Sequence, residues 1–145
     1  MSLVGRVGKG DFSMSDIEKA RLMQVMAHKD FNALRGMGDE TFFADEIYGF
    51  HAQQAIEKSL NAWIASKSIE FPLTHDLRRL LLLIEQTGEI VEEFWPLIKF
   101  NIFSVQARYE NDLLAGDEVL GRAAVLEEVR QLMSHVEAKI NVVTN

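Results

Sequence analysis

The chain has 145 residues, 48 % of them apolar, no cysteine, and 15 Lys and Arg against 22 Asp and Glu, for a net charge of −7. That length fits one domain, and that apolar share suffices for one core without covalent staples. The composition excludes a disulfide framework, a thiolate metal site and a cysteine nucleophile, and the acidic balance opposes non-specific binding to DNA, whose phosphates carry the same sign.

No apolar run approaches the roughly 18 residues a membrane span needs. The lack of cysteine suits a reducing compartment, so a cytoplasmic location is expected. The opening stretch MSLVGRVGKGDF has no apolar core of signal-peptide length. Its GRVGKG segment lacks the spacing of a phosphate loop, and no strand precedes it. Residues 1–12 therefore read as a flexible arm and residues 13–145 as a single helical domain.

Two prolines and helix-period patterning throughout predict an all-α fold. A first helix starts near Ser15, which stands in capping-box spacing to Glu18, and runs to about Leu34, where Gly36 and Gly38 end it. A second runs from the Thr41 to Asp45 region to about Ser68, before Pro72 breaks the chain. Thr74 is the expected N-cap of a third helix, with Asp76 in its first turn. Its run Leu80 to Ile84 is apolar on so many sides that this helix is expected to be central. A fourth helical region spans about Glu89 to Tyr109, kinked or split at Pro96. After a loop, Asp117 caps a long last helix, with Val125, Val129, Leu132, Val136, Ile140 and Val143 along one stripe. Short connections between such helices imply an antiparallel up-and-down bundle of four to five helices.

The stretch FHAQQAIEKSLNAW, Phe50 to Trp63, has an unusual polar face. At about 100° per residue, Tyr48, Ala52, Ala55, Ile56, Ser59 and Trp63 share one side. His51, Gln54, Lys58 and Asn61 fall opposite, flanked by Ile47 and Phe50. The bland reading is a solvated surface. The functional one is a row of imidazole, amide and ammonium groups able to hold a phosphate, a base or a carboxylate.

Together with FPLTHDLRRLL (Phe71 to Leu81) and VQARYEND (Val105 to Asp112), in that order, this stretch resembles three landmark segments of HEPN domains. The resemblance covers roughly residues 15–143. It implies an antiparallel helical bundle like the helical domain of kanamycin nucleotidyltransferase, a homodimer, and pairing with a small nucleotidyltransferase protein in a toxin–antitoxin type pair. It implies a nucleotide or RNA ligand. The residues it carries over are His51, Gln53, Gln54 and Lys58 from the first segment, His75 and Asp76 from the second, and Arg108 and Tyr109 from the third. Glu110 stands where the family typically has proline.

Ribonuclease members of that family carry an arginine followed a few residues later by a histidine, the first to stabilise phosphorane charge and the second to move a proton. Arg108 is the counterpart of the arginine, but no histidine follows it, so the resemblance implies a binding role over an enzymatic one. Arg130 with His135 and Arg21 with His28 also fit the loose spacing. An ideal helix sets Arg130 and His135 about 140° apart, so a second chain is expected to be needed for that pair to converge. The four histidines, His28, His51, His75 and His135, form no metal-ligand spacing, and neither a metal nor a cofactor is expected.

The resulting expectation is a module that binds a nucleotide, a nucleotidyltransferase partner, or both, with ligand residues His51, Gln54, Lys58, His75, Asp76, Arg108 and Tyr109. Lys58 and Arg108 would take phosphate charge, and His51 and Gln54 would orient base or ribose. The alternatives are a metal-independent ribonuclease using Arg108 and a non-catalytic dimeric scaffold.

Overall fold

The computed structural model describes residues 14–104 and 121–144. The expected arm, the loop before Asp117, the cap at Asp117, and Arg108 and Tyr109 lie outside the described residues.

The described chain forms four α-helices and one 3₁₀ segment, with no strand. Helix α1 spans Asp16–Gly36. It starts where the capping box predicts: the Glu18 amide donates to Ser15 Oγ at 3.1 Å, and the Ser15 amide donates to Glu18 Oε1 at 2.8 Å. Helix α2 spans Asp45–Ser66 and is followed by Ser68 at φ 60°, a left-handed position that stops the helix. Helix α3 spans Leu77–Gln86, the 3₁₀ segment Glu92–Phe103, and helix α4 Arg122–Thr144.

The central element is α2, not α3. Fifteen of its 22 residues are buried, many of them small, and it touches every other element. Glycine, alanine and serine at Gly49, Ala52, Ala55, Ser59, Ala62, Ala65 and Ser66 let neighbours approach its backbone closely. In α3 only Leu77, Leu80, Leu81 and Ile84 are buried, and Leu82 points to solvent. Five consecutive apolar residues there are one amphipathic face plus an overspill.

The region around Pro96 is neither a kinked helix nor two short ones. Phe94, Leu97, Phe100 and Phe103 are its buried residues. That spacing of three matches the 3₁₀ helix, in which such residues eclipse one another. On an α-helix each step of three would drift by about 60° and spread the same side chains around the axis. In α4 the expected stripe is buried from Val125 to Ile140, whereas Val143 is exposed.

Long-range contacts fix the directions. Arg21 reaches Thr144 and Gln24 reaches Glu137, while Met37 meets Arg122, so α1 and α4 run antiparallel. Tyr48 meets Arg122 and Trp63 meets His135, so α2 and α4 run parallel, as an up-and-down order requires.

Two charged clasps hold this arrangement. Arg122, only 7 % exposed, donates from Nη1 to Met37 O (2.8 Å) and from Nη2 to Phe43 O (2.6 Å) and Asp45 Oδ1 (2.9 Å). It lies 4.7 Å over the Tyr48 ring, and the Tyr48 hydroxyl donates to its carbonyl. Burial pushes the Tyr48 hydroxyl above its ordinary pKa against the opposing pull of Arg122. At the other end of the bundle, Glu89 accepts from Lys67 and Lys139, each at 2.9 Å, joining the end of α2, the loop after α3, and α4. Glu89 is therefore an ion-pair hub, whereas Glu92 and Glu93 are exposed.

Two expected outcomes follow from this packing. A Cβ at Gly49 would overlap the Phe103 ring. Gly49→Ala should gain up to about 1 kcal/mol of helix propensity but lose about 1–3 kcal/mol to overpacking, a net fall in midpoint seen in a thermal melt. Burial alone would raise the Glu89 pKa, but the hydrogen bonds from Lys139 and Lys67 outweigh it and hold the carboxyl below its usual 4.5. Its stabilisation is thus complete above that value and lost as pH falls through the lowered native one. In urea melts at several pH values, Glu89→Gln should cost on the order of 1 kcal/mol near neutrality, and the difference should vanish in acid.

Candidate functional site

The polar residues of α2 occupy one sector of the helix, and the structure supplies most of them with partners from neighbouring elements. On one edge, Asp30 of α1 lies between two residues of the α2 row. His51 Nδ1 is 2.9 Å from Asp30 Oδ1, and Lys58 Nζ donates to Asp30 Oδ2 at 2.7 Å. His51 and Lys58 are seven residues apart, two helical turns, so both side chains reach the same carboxylate. Asp30 is 9 % exposed and belongs to the buried stripe Ala20, Ala27, Asp30 and Leu34. Its charge is therefore matched inside the α1–α2 seam, and Lys58 is not a free cation.

On the other edge a second row, Gln53, Glu57 and Asn61, repeats every four residues and is buried. Gln53 Nε2 donates to Glu57 Oε1 (2.9 Å) and to His75 O (3.3 Å). Gln54 Nε2 donates to Gln53 Oε1 at 2.7 Å. His75, in the loop before α3, brings Nδ1 to 2.9 Å from Glu57 Oε1. Asn61, expected on the outward row, is 6 % exposed, and its Oδ1 has no donor among the described residues.

Both imidazoles are thus oriented in the same way. A carboxylate only accepts, so Nδ1 carries the hydrogen in each pair and Nε2 is left as the unbound nitrogen. The carboxylates are enclosed, with side chains 12 % and 11 % exposed, whereas the His51 and His75 side chains are 29 % and 58 % exposed. Between them lies half-exposed Gln54. Phe50 sets its ring against His51, the centroids 5.5 Å apart and the planes at 74°.

Asp76 has a different place from the one expected. It is the N-cap of α3, and its Oδ1 accepts from the Arg78 amide and from Asn101 Nδ2, each at 3.0 Å. Thr74, the expected cap, accepts from the Asp76 amide one step earlier. The structure therefore brings His51, Gln54, Lys58 and His75 onto one face, with Asp76 at its edge as a helix cap. Asp30 and Glu57, which position the face, were not singled out from the sequence. An aspartate on the alanine and leucine stripe of α1 is the signal that could have found the first. The four-residue repeat Gln53, Glu57, Asn61 could have found the second.

A second polar locus lies on α4. Arg130 and Ser134 line two shallow grooves, of about 300 and 400 Å³; His28, Phe31, Met133 and Glu137 complete the first, and Glu93, Phe94, Gln131 and His135 the second. Arg130 and His135 thus border one groove within a single chain. Arg130 is held by Glu127, with Nε at 3.0 Å from Oε1, and that hydrogen bond raises its pKa further. His135 packs on Trp63 and Phe94, with centroids 4.9 and 5.0 Å away. Among the described residues no group of three His, Cys, Asp or Glu could hold a metal ion, and no helix is long and apolar enough to cross a membrane.

A family model described as HEPN domain matches residues 25–144, most of the chain and both clasped edges of the α2 face. No curated protein and no solved structure matches the chain.

The Asp30 clasp makes a prediction that separates structure from ligand binding. Asp30→Ala strands an ammonium in a half-buried seam and should cost about 2 kcal/mol or more. Adding Lys58→Met should recover part of that loss. A double-mutant cycle in urea should give a coupling of about 1 kcal/mol or more between the two sites; strict additivity would show that the pair does not hold α1 to α2.

Proposed function

This chain belongs to the HEPN domain family, and from that premise we propose that it is a nucleotide-binding module that also docks a small nucleotidyltransferase, as one half of a toxin–antitoxin type pair. The nucleotide lies along the polar face of α2. The observation that carries this reading is the pair of imidazoles, each anchored through Nδ1 by an enclosed carboxylate and each with Nε2 unbound, on either side of Gln54. Anchored rings on a rigid helix lose little freedom when a ligand binds. Unbound Nε2 atoms and the Gln54 amide suit the donor and acceptor groups of a base or ribose. The chain works as a homodimer, and its partner covers part of the bundle surface, where Phe42 and Leu73 are 81 % and 99 % exposed.

A metal-independent ribonuclease is the second reading. What favours it is the α4 locus, where Arg130 stands between the groove bordered by His28 and the groove bordered by His135. The Glu127 carboxylate bound to Arg130, and Glu93 and Glu137 in the groove walls, weaken that locus for an anion.

Titration of isotope-labelled protein with adenosine, ADP and ATP tests the first reading. Resonances of His51, Gln54 and His75 should move together and saturate. Gln54→Ala should weaken binding about tenfold, the scale of one lost hydrogen bond to a polar ligand. Movement confined to α4, or RNA cleavage in chelator that Arg130→Ala abolishes, would favour the second reading. No response anywhere would reject nucleotide binding.

A further inference from the structure

Phosphate charge is expected to go to Lys58 and Arg108; Arg108 lies outside the described residues, and the structure has given Lys58 to Asp30. With Lys58, half of the described cations are committed to a carboxylate: Lys67 and Lys139 to Glu89, Lys99 to Glu128, Arg122 to Asp45, and Arg130 to Glu127, while Arg21 bonds Thr144. Arg78 and Arg79 are not so committed. Both are exposed, on the first turn of α3, and neither guanidinium has a partner among the described residues. Lys19, Lys29 and Arg35 are also unpaired but are dispersed along α1, never two in succession.

Arg78 and Arg79 follow His75 by three and four residues, so no more than about 14 Å of chain separates them from it. Their Cα–Cβ directions differ by about 100° around α3, close enough for two long side chains to meet on one anion. The amides of this helix start are already used: Leu77 N–H donates to Asn101 Oδ1 and Arg78 N–H to Asp76 Oδ1. An anion here is therefore held by side chains and not by the helix end. The nearby carboxylates are occupied as well, Asp76 by the cap and Asn101, Glu57 by Gln53 and His75. The guanidiniums keep their full set of donors in a fork that matches phosphate oxygens.

We propose that Arg78 and Arg79, next to His75, form the phosphate subsite of the α2 face and take the phosphate chain of a nucleotide. This rests on the nucleotide reading of that face and names where its charge goes. The same phosphate chemistry is present in RNA, and the source is separated by the ligands used.

The test compares adenosine, ADP and a short single-stranded RNA, by calorimetry, on the wild type and on Arg78→Gln/Arg79→Gln. Both positions are exposed, so the variant should keep its circular dichroism and melting midpoint. In the wild type, ADP should bind at least about tenfold tighter than adenosine, the strength of one or two charge-assisted hydrogen bonds. In the variant that ratio should fall towards one while adenosine binding is unchanged. An advantage confined to the RNA, and lost in the variant, keeps the subsite and assigns it to a phosphodiester. Equal binding of adenosine and ADP in the wild type, or an ADP advantage that survives in the variant, overturns the subsite and leaves the nucleotide reading intact. Absence of binding by all three overturns both.

Discussion

The fold depends on one constraint: α2 is buried on almost every side, yet it carries Gln53, Glu57 and Asn61 in its interior and His51, Gln54 and Lys58 at its margin. A buried polar group without a partner costs about 1–3 kcal/mol. Several together would rival the roughly 5–15 kcal/mol by which a domain is stable. For most of them the neighbours carry complementary groups at matching heights; Asn61 Oδ1 has no donor among the described residues. Asp30 of α1 serves His51 and Lys58, and His75 in the α3 approach serves Glu57. The polar row that looks like a surface feature is part of how three elements are held in register.

Arg122 does the same at the other end of the molecule. A guanidinium that is 7 % exposed must find acceptors, and it takes the Met37 and Phe43 carbonyls of the α1–α2 connection and the Asp45 carboxylate at the start of α2. One side chain thus ties α4 to the turn that reverses the chain between the first two helices. An exposed pair in the same place would add little; enclosed and bonded to backbone carbonyls, this one sets where α4 begins. The Glu89 clasp on Lys67 and Lys139 closes the opposite end.

Much of the architecture was legible in the sequence because it follows from local chemistry. The Ser15 and Glu18 box, the break at Pro72 and the Val125 to Ile140 stripe each depend on residues within a few positions of one another. Family resemblance and the all-α fold were legible for the same reason. What was not legible depends on pairing across the fold. Nothing near Asp30 in the chain says that it will face Lys58, and nothing near Arg122 says that it will reach Met37. The 3₁₀ segment is the exception. Its period of three, Phe94, Leu97, Phe100 and Phe103, is present in the sequence but is masked when an α-helical period is assumed. The centrality of α2 was missed for a related reason: the run of leucines in α3 is more hydrophobic, but small residues, not large ones, mark the helix that others crowd.

The clasps also decide what kind of ligand group the α2 face can accept. An anion at Lys58 would have to displace Asp30 from a seam where it has two partners, and only the difference between the two contacts would count towards affinity. His51, His75 and Gln54 are in the opposite position. Their structural bonds use Nδ1 of each ring and one N–H of the amide, and while the rings are neutral what is left is mainly acceptor: two Nε2 atoms and the Gln54 Oε1. Such a face complements hydroxyls and exocyclic amines, which donate. It does not complement phosphate, which only accepts at its ionised oxygens. A nucleotide presents both kinds of group at once, so a protein of this design has to divide them between the acceptor-rich helix face and donors placed elsewhere.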